Sequence, residues 1–322
     1  MSNNKTAQPE SARVILECAL PSGSVVSTDR VKVAGRDYAI RDGIVRFRDD
    51  NGYASSFAMQ WGRFQLDQYD SSNGTQLYGR RFARETGWPE KGLDGELILE
   101  AGCGAGAFSL HLLRTGANLV SFDYSSAVDV AAAHNSSERA VFCQADILSM
   151  PFREGAFDRV FCHGVLQHTP DPKASFMALC RVLSPGGRLS IDIYKKDWRI
   201  RPWKSKRLWR WLTVRVDHQK LLKFLEWFIP KWLPIDTVLK KVPFFGNYLG
   251  ALVPCWNYFR RPELSKAQQR TWAIMDTFDA LAPRYDIPAS LEEVCSWFVE
   301  AGFTDFEVRE GGNGVVGNGI KG

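Results

Sequence analysis

Leu97-Ile98-Leu99-Glu100-Ala101-Gly102-Cys103-Gly104-Ala105-Gly106-Ala107-Phe108 opens a stretch that runs on to Asp123-Tyr124 and decides how the chain reads. The apolar residues 97–99 read as a buried parallel strand. Glu100 and three glycines, Gly102, Gly104 and Gly106, stand at its end. Phe108, Leu110, Leu112 and Leu113 then recur at a spacing that suits a helix packed on a sheet. A second apolar strand, 117–122, ends on Asp123. Strand, glycine turn, helix, strand and terminal carboxylate make half of a nucleotide-binding crossover unit. Glycine lets the backbone approach a ligand without a Cβ clash. The following helix presents its first N–H groups, and a carboxylate at the second strand's tip can accept both hydroxyl protons of a ribose.

The glycine spacing distinguishes one nucleotide from another. A dinucleotide fingerprint requires Gly-x-Gly-x-x-Gly; here the third glycine comes one residue early, and an acid precedes the set. That suits a ligand carrying a positive amine better than a diphosphate. Downstream, helix and strand alternate as in an α/β sheet: a serine-opened helix over 125–134, a strand over 141–145 ending in Asp146-Ile147, and a strand over 159–162. The tip of the last carries His163-Gly164-Val165-Leu166-Gln167-His168-Thr169-Pro170-Asp171-Pro172. A helix over 173–183 stops at Ser184-Pro185-Gly186-Gly187, and 188–194 is the fifth strand.

Glu-x-Gly-x-Gly-x-Gly, Phe-Asp-Arg-Val (157–160), His-Thr-Pro-Asp-Pro and Leu-Ser-Pro-Gly-Gly-Arg-Leu (183–189), in that order, resemble the class I S-adenosylmethionine-dependent methyltransferases of the small-molecule type. The resemblance covers roughly residues 97–194. It implies an α/β fold: a Rossmann-like doubly wound seven-stranded sheet, with a small N-terminal β cap, a helical lid and a helical insertion after the fifth strand. It implies S-adenosyl-L-methionine as cofactor and S-adenosyl-L-homocysteine as product. The cofactor site it implies comprises Glu100, Gly102, Cys103, Gly104, Gly106, Asp123, Tyr124, Asp146, Ile147, His163 and Gly164. Asp146 would meet the adenine amino group, with Ile147 packing on the ring. Arg80 or Arg81 can serve the cofactor carboxylate. His168, past the fourth strand's tip, is the candidate general base, its ordinary pKa suiting proton transfer near neutrality; alternatively it orients the turn after it. Asp276, Asp279 and Tyr285 are further candidates for the acceptor side. Two rival readings are a nicotinamide-dependent oxidoreductase on the same scaffold and a non-catalytic partner subunit.

On this reading residues 1–50 form a polar tail, unordered to about residue 12, and then a β cap with turns at 21–23, 34–36 and 41–43. Residues 38–47 resemble the end of a zinc-ribbon-like module, but Cys18 alone remains of its cysteines, so a metal-free remnant is expected. Residues 51–95 make a helical lid bearing Tyr53, Phe57, Trp61 and Phe64. Residues 96–194 form the core, and 286–322 a helix opened by the capping box Ser290–Glu293 and two closing strands. The seven scattered cysteines lack any Cys-x-x-Cys pair, which argues against zinc and for a reducing compartment. With a polar N-terminus lacking a signal-peptide core, a cytoplasmic setting is expected.

Residues 195–285 depart from the minimal fold. Residues 195–261 hold sixteen Lys and Arg against four acids, a net +12, so with +5 overall the remainder sums to −7. Trp198, Trp203, Trp209 and Trp211 interleave with these cations. Such a segment can lie on an anionic membrane surface, track a nucleic-acid backbone, or act as a lid over the acceptor. Nucleic acid is the least favoured, and a spanning helix is disfavoured by Pro243, Asn247, Pro254 and Asn257. The expected acceptor is a small molecule, amphiphilic if the segment covers it; no oligomeric state is legible.

Overall fold

The computed structural model describes residues 10–196, 205–242, 250 and 252–322. The chain divides into a core unit (Met1–Gly52, Leu77–Lys196, Tyr285–Gly322) and a helical unit (Tyr53–Gln76, Asp197–Arg284).

In the core unit the strands are β1 (Val25–Val26), β2 (Arg30–Val33), β3 (Arg36–Arg41), β4 (Ile44–Arg46), β5 (Leu97–Ala101), β6 (Asn118–Asp123), β7 (Ala140–Gln144), β8 (Phe157–Cys162), β9 (Leu183–Ile193), β10 (Phe303–Glu310) and β11 (Val315–Lys321). They hydrogen-bond in the order β1-β2-β3-β4-β7-β6-β5-β8-β9-β11-β10. From β7 to β9 all pairs are parallel, and β11 and β10 close the edge antiparallel. The seven strands from β7 to β10 are the expected doubly wound sheet. Its central strands are buried on both faces: Leu97, Leu99 and Ala101 enter one apolar cluster and Ile98 the other, as parallel strands require. The order reverses at β5, which places the glycine loop at the crevice where ligands of such sheets collect.

The N-terminal region differs from expectation in two ways. The tail ends earlier than residue 12, because Glu10–Ala19 is a helix (α1) whose Ala12, Ile15, Leu16 and Ala19 form a buried stripe at helical spacing. Residues 1–9 lie outside the described residues. The β strands are not a separate cap: β4 adds parallel to β7 (Val45 opposite Cys143) and extends the main sheet. The turns at Ala34-Gly35 and Asp42-Gly43, all at positive φ, are two-residue hairpins. Cys18 lies exposed on α1, away from any ribbon.

The remaining core helices are α4 (Leu77–Thr86), α5 (Ala107–Arg114), α6 (Ala127–His134), α7 (Pro172–Val182) and α11 (Leu291–Glu300). Asp171 caps α7 by accepting from the Ala174 N–H at 2.9 Å, with Pro172 at the first helical position. The capping box Ser290–Glu293 opens α11 as read. Ser184-Pro185-Gly186-Gly187 does not separate α7 from the fifth strand but bulges within it: Phe157 faces Leu183 and Arg159 faces Arg188. The compact core takes α4, which the sequence reading put with the lid, because α4 is ion-paired to the sheet (below).

The helical unit comprises α2 (Ser55–Arg63), α3 (Asp70–Asn73), α8 (Ser205–Thr213), α9 (His218–Leu239) and α10 (Lys266–Leu281). On α2 the fully buried side chains are Ser56 and Gln60, while Tyr53, Phe57 and Trp61 are half-buried. The Arg210 guanidinium donates to the carbonyls of Ala280 (3.2 Å) and Pro283 (2.7 Å), and the Thr213 hydroxyl to that of Leu281 (2.9 Å), joining α8 to the end of α10. A second capping box, Ser265–Gln268, starts α10. Helix α9 contains Pro230 and Pro234, which remove two N–H donors from its interior. Trp198 and Trp203, and the cations Arg199, Arg201 and Lys204 beside them, lie outside the described residues.

Candidate cofactor and active site

The carboxyl ends of β7, β6, β5 and β8 lie side by side, because these strands are adjacent and parallel. They bring together Asp146, Asp123, the glycine loop and the segment 163–168. The loop turns on Gly102 (φ +78°), Gly104 (φ +53°) and Gly106 (φ +90°). At Gly102 a Cβ would stand 2.3 Å from Val165 Cγ2. A side chain there would force the β8 loop away, so glycine lets the two loops touch.

Asp123 organises the loop. Its Oδ2 accepts from the Gly104 N–H (2.9 Å), and its Oδ1 from the Ser125 N–H (2.8 Å) and hydroxyl (2.7 Å). Burial raises its pKa, and the hydrogen bonds from Ser125 and Gly104 oppose that shift. With two lone pairs on each oxygen, these bonds leave capacity on Oδ2 for a hydroxyl donor. The loop, the carboxylate and the N-terminal end of α5 together therefore fit a nucleoside with a ribose diol.

Glu100 is placed differently from its expected role. It is 2% exposed, and its Oε2 accepts from the hydroxyls of Ser121 (2.7 Å) and Ser109. The carboxyl thus joins β5 to β6 and α5 from behind the loop rather than reaching out to a ligand amine. Burial pushes it up to about 7, against the two serine hydrogen bonds. Cys103 is buried with Leu112, Leu113 and Phe161, and burial pushes its thiol well above the usual range. Its side chain is packing.

Asp146 Oδ1 accepts from the Leu148 N–H at 2.9 Å, capping the single turn Ile147–Ser149, and its Oδ2 lies 3.7 Å from Arg48. The Arg48 guanidinium stands 3.5 Å from the centre of the Tyr124 ring. Arg48 was missed in the sequence because it follows β4, and only the tertiary docking of β4 on β7 brings it to this edge. Ile147 is buried in the main apolar cluster, which limits what it can offer a ring.

His163 is buried among polar partners. Its Nε2 lies 2.9 Å from the Ser190 hydroxyl, and its ring stacks 4.3 Å from Phe161. Its Nδ1 lies 3.4 Å from Glu85 and 3.6 Å from Asp192, both carboxylates wholly buried. Arg81 bonds Glu85 (2.9 Å) and Asp192, so it serves these acids rather than a cofactor carboxylate, while Arg80 is exposed. Glu85, His163 and Asp192 are close enough together to hold a metal ion, yet the Arg81 guanidinium already supplies the positive charge between the acids. Asp192 also accepts from the Gly164 N–H. The network therefore fixes the loop that runs to His168. Glu85 and Asp192 escaped the sequence reading because three separate elements bring them together.

His168, on the turn Leu166–His168, is 6% exposed. Its Nδ1 lies 3.0 Å from the Tyr285 carbonyl, and its ring meets Tyr194 edge-on at 5.4 Å. The helix α7 that follows is capped by Asp171. Asp276 and Asp279 lie on α10 of the helical unit, where Asp276 accepts from the Tyr258 hydroxyl.

Residues 99–191 match the family model of the methyltransferase domain. The ubiquinone biosynthesis O-methyltransferase of Xanthomonas oryzae pv. oryzae (strain PXO99A) is 36% identical over 104 residues, 31% of this chain and 44% of that protein. The chloroplastic tocopherol O-methyltransferase of Arabidopsis thaliana is 29% identical over 151 residues, 43% of this chain and 40% of that protein. A sterol 24-C-methyltransferase of Saccharomyces cerevisiae is 31% identical over 103 residues, 30% of this chain and 27% of that protein. The chain spans less than half the length of these relatives. It carries a class I S-adenosylmethionine-dependent methyltransferase domain.

Proposed function

We propose that the protein transfers a methyl group from S-adenosyl-L-methionine to a small, amphiphilic acceptor. The observation that carries this reading is the row of strand tips where Asp123 holds Gly104 between Asp146 and the His168 loop. Gly102, Gly104 and Gly106 would admit the cofactor's backbone-facing edge, Asp123 would hold its ribose, and Asp146 with Tyr124 would flank its base. When bound, the cofactor supplies an electrophilic methyl on a sulfonium; the chain's part is to align the acceptor and exclude water. Glu100 stiffens the loop from behind, and the Glu85–Arg81–Asp192 network holds Gly164.

For a hydroxyl acceptor His168 is the base. A carbonyl can only accept, so the contact with Tyr285 puts the proton on Nδ1 and the lone pair on Nε2. Transfer of an isotopically labelled methyl, followed by product mass with phenolic and polyprenylated acceptors, tests the assignment. His168→Ala is expected to lower turnover about 10²-fold with cofactor affinity unchanged. Undiminished turnover would leave His168 a structural group.

A second reading, contact with an anionic membrane surface, is favoured by α8. Its Leu208, Trp211 and Leu212 fall on one face at helical spacing and are 70%, 67% and 57% exposed, with Lys206, Arg207 and Arg215 around them. On α9 the exposed Trp227 carries the Lys231 amine 3.9 Å from its ring centre. Cations beside exposed aromatic and aliphatic groups suit a headgroup boundary. No helix among the described residues is long and apolar enough to cross a membrane.

A further inference from the structure

The helical unit forms a cavity of about 190 Å³, open to the surface, between α8, α9, the end of α10 and Val253-Pro254. Trp209 and Thr213 of α8 and Leu221, Phe224, Leu225 and Phe228 of α9 form most of its wall. Its surface is almost wholly apolar. The Thr213 hydroxyl is spent on the Leu281 carbonyl, and the Trp209 indole N–H on that of Leu252 (3.2 Å). Such a lining offers water few partners, and an apolar cavity of about 150 Å³ accepts benzene. The cavity reaches the surface at Val216 and Phe224, 40% and 41% exposed. Among the described residues one charged side chain stands on its wall, the exposed Lys220. An apolar slot with an exposed lysine on its wall matches a chain that ends in an anion.

We propose that this cavity binds the alkyl chain of an anionic amphiphile, with Lys220 on its headgroup. The inference deepens the amphiphilic-acceptor reading, and rests on it only for taking that amphiphile as the methyl acceptor. Scaled from the benzene case, the cavity holds about seven carbons. Each methylene buried is then worth about fourfold in affinity until the cavity is full.

Calorimetric titration of the full chain with butyl, hexyl, octyl and decyl phosphate, each below its micelle concentration, tests this. Affinity is expected to climb about fourfold per methylene to around seven or eight carbons and then level off, with inorganic phosphate not binding. Val216→Trp, which narrows the mouth at an exposed position, is expected to weaken octyl phosphate at least tenfold. Lys220→Glu is expected to reverse the preference for octyl phosphate over octyltrimethylammonium. Affinity that ignores chain length, that rises without levelling, or that survives Val216→Trp in a folded chain overturns the cavity. A preference unmoved by Lys220→Glu overturns the headgroup contact. S-adenosylmethionine binding in the same samples separates the readings: cofactor binding without alkyl phosphate binding ends this inference and spares the methyltransferase, and the reverse ends the methyltransferase and spares the cavity.

Discussion

Glu100 is a carboxyl held where a carboxylate is costly, and this gives the protein a pH signature. In the unfolded chain it loses its proton near 4.5, and in the folded protein near 7, because burial outweighs the two serine hydrogen bonds. Between those values the folded state holds the extra proton, so stability is greatest below pH 4.5 as far as this group goes and falls as pH rises to 7. The loss is on the order of 3 kcal/mol. Urea midpoints measured from pH 5 to 8 are expected to fall for the wild type and to lose that slope in Glu100→Gln. Parallel slopes would place the titration elsewhere. The sequence located Glu100 but not its direction, since Ser109 and Ser121 become its partners only after β5, β6 and α5 have packed.

At the scale of elements, α4 is fastened to the sheet by charge. Burial alone would raise the Glu85 carboxyl, but the hydrogen bond from His163 and the charge and hydrogen bond of Arg81 hold it well below the usual range. Its contribution to stability is therefore present above the ordinary carboxylate range and is lost as pH falls through the lowered value. Removing one partner from a buried network strands the others, at about 3–5 kcal/mol. Glu85→Gln is expected to destabilise the core unit by that amount in denaturant unfolding; a change under about 1 kcal/mol would make the network incidental. The β5–α5–β6 crossover was legible because its glycines, apolar runs and terminal acid are local. The start of α1 was not: the stripe Ala12, Ile15, Leu16 and Ala19 follows a polar tail and runs straight into turn residues, and strand reading took its second half. The N-terminal strands were legible as strands, but their docking on β7 was a tertiary event with no local mark.

Over the whole molecule, charge and chemistry are divided: a basic segment with exposed aromatics in the helical unit, and an acidic remainder carrying the strand-tip site. That segregation could be counted from the sequence, whereas the cavity could not, since its walls come from three helices and the segment at Val253-Pro254, brought together only by packing. If the basic face meets membranes, the wild type is expected to sediment with phosphatidylglycerol vesicles at low salt and to come off as salt rises, surface attraction being screened beyond about 10 Å at 0.1 M. Leu208, Trp211 and Leu212 replaced together by Ser are expected to abolish retention without altering cofactor affinity. Retention unchanged by that triple substitution would assign the contact to other residues. The strand-tip site itself is tested most directly by calorimetric titration of the protein with S-adenosyl-L-methionine, wild type against Asp123→Ala. One cofactor per chain is expected, with affinity falling about ten- to a hundredfold in the variant as charge-assisted hydrogen bonds are lost; no binding by the wild type, or equal binding by both, would contradict it.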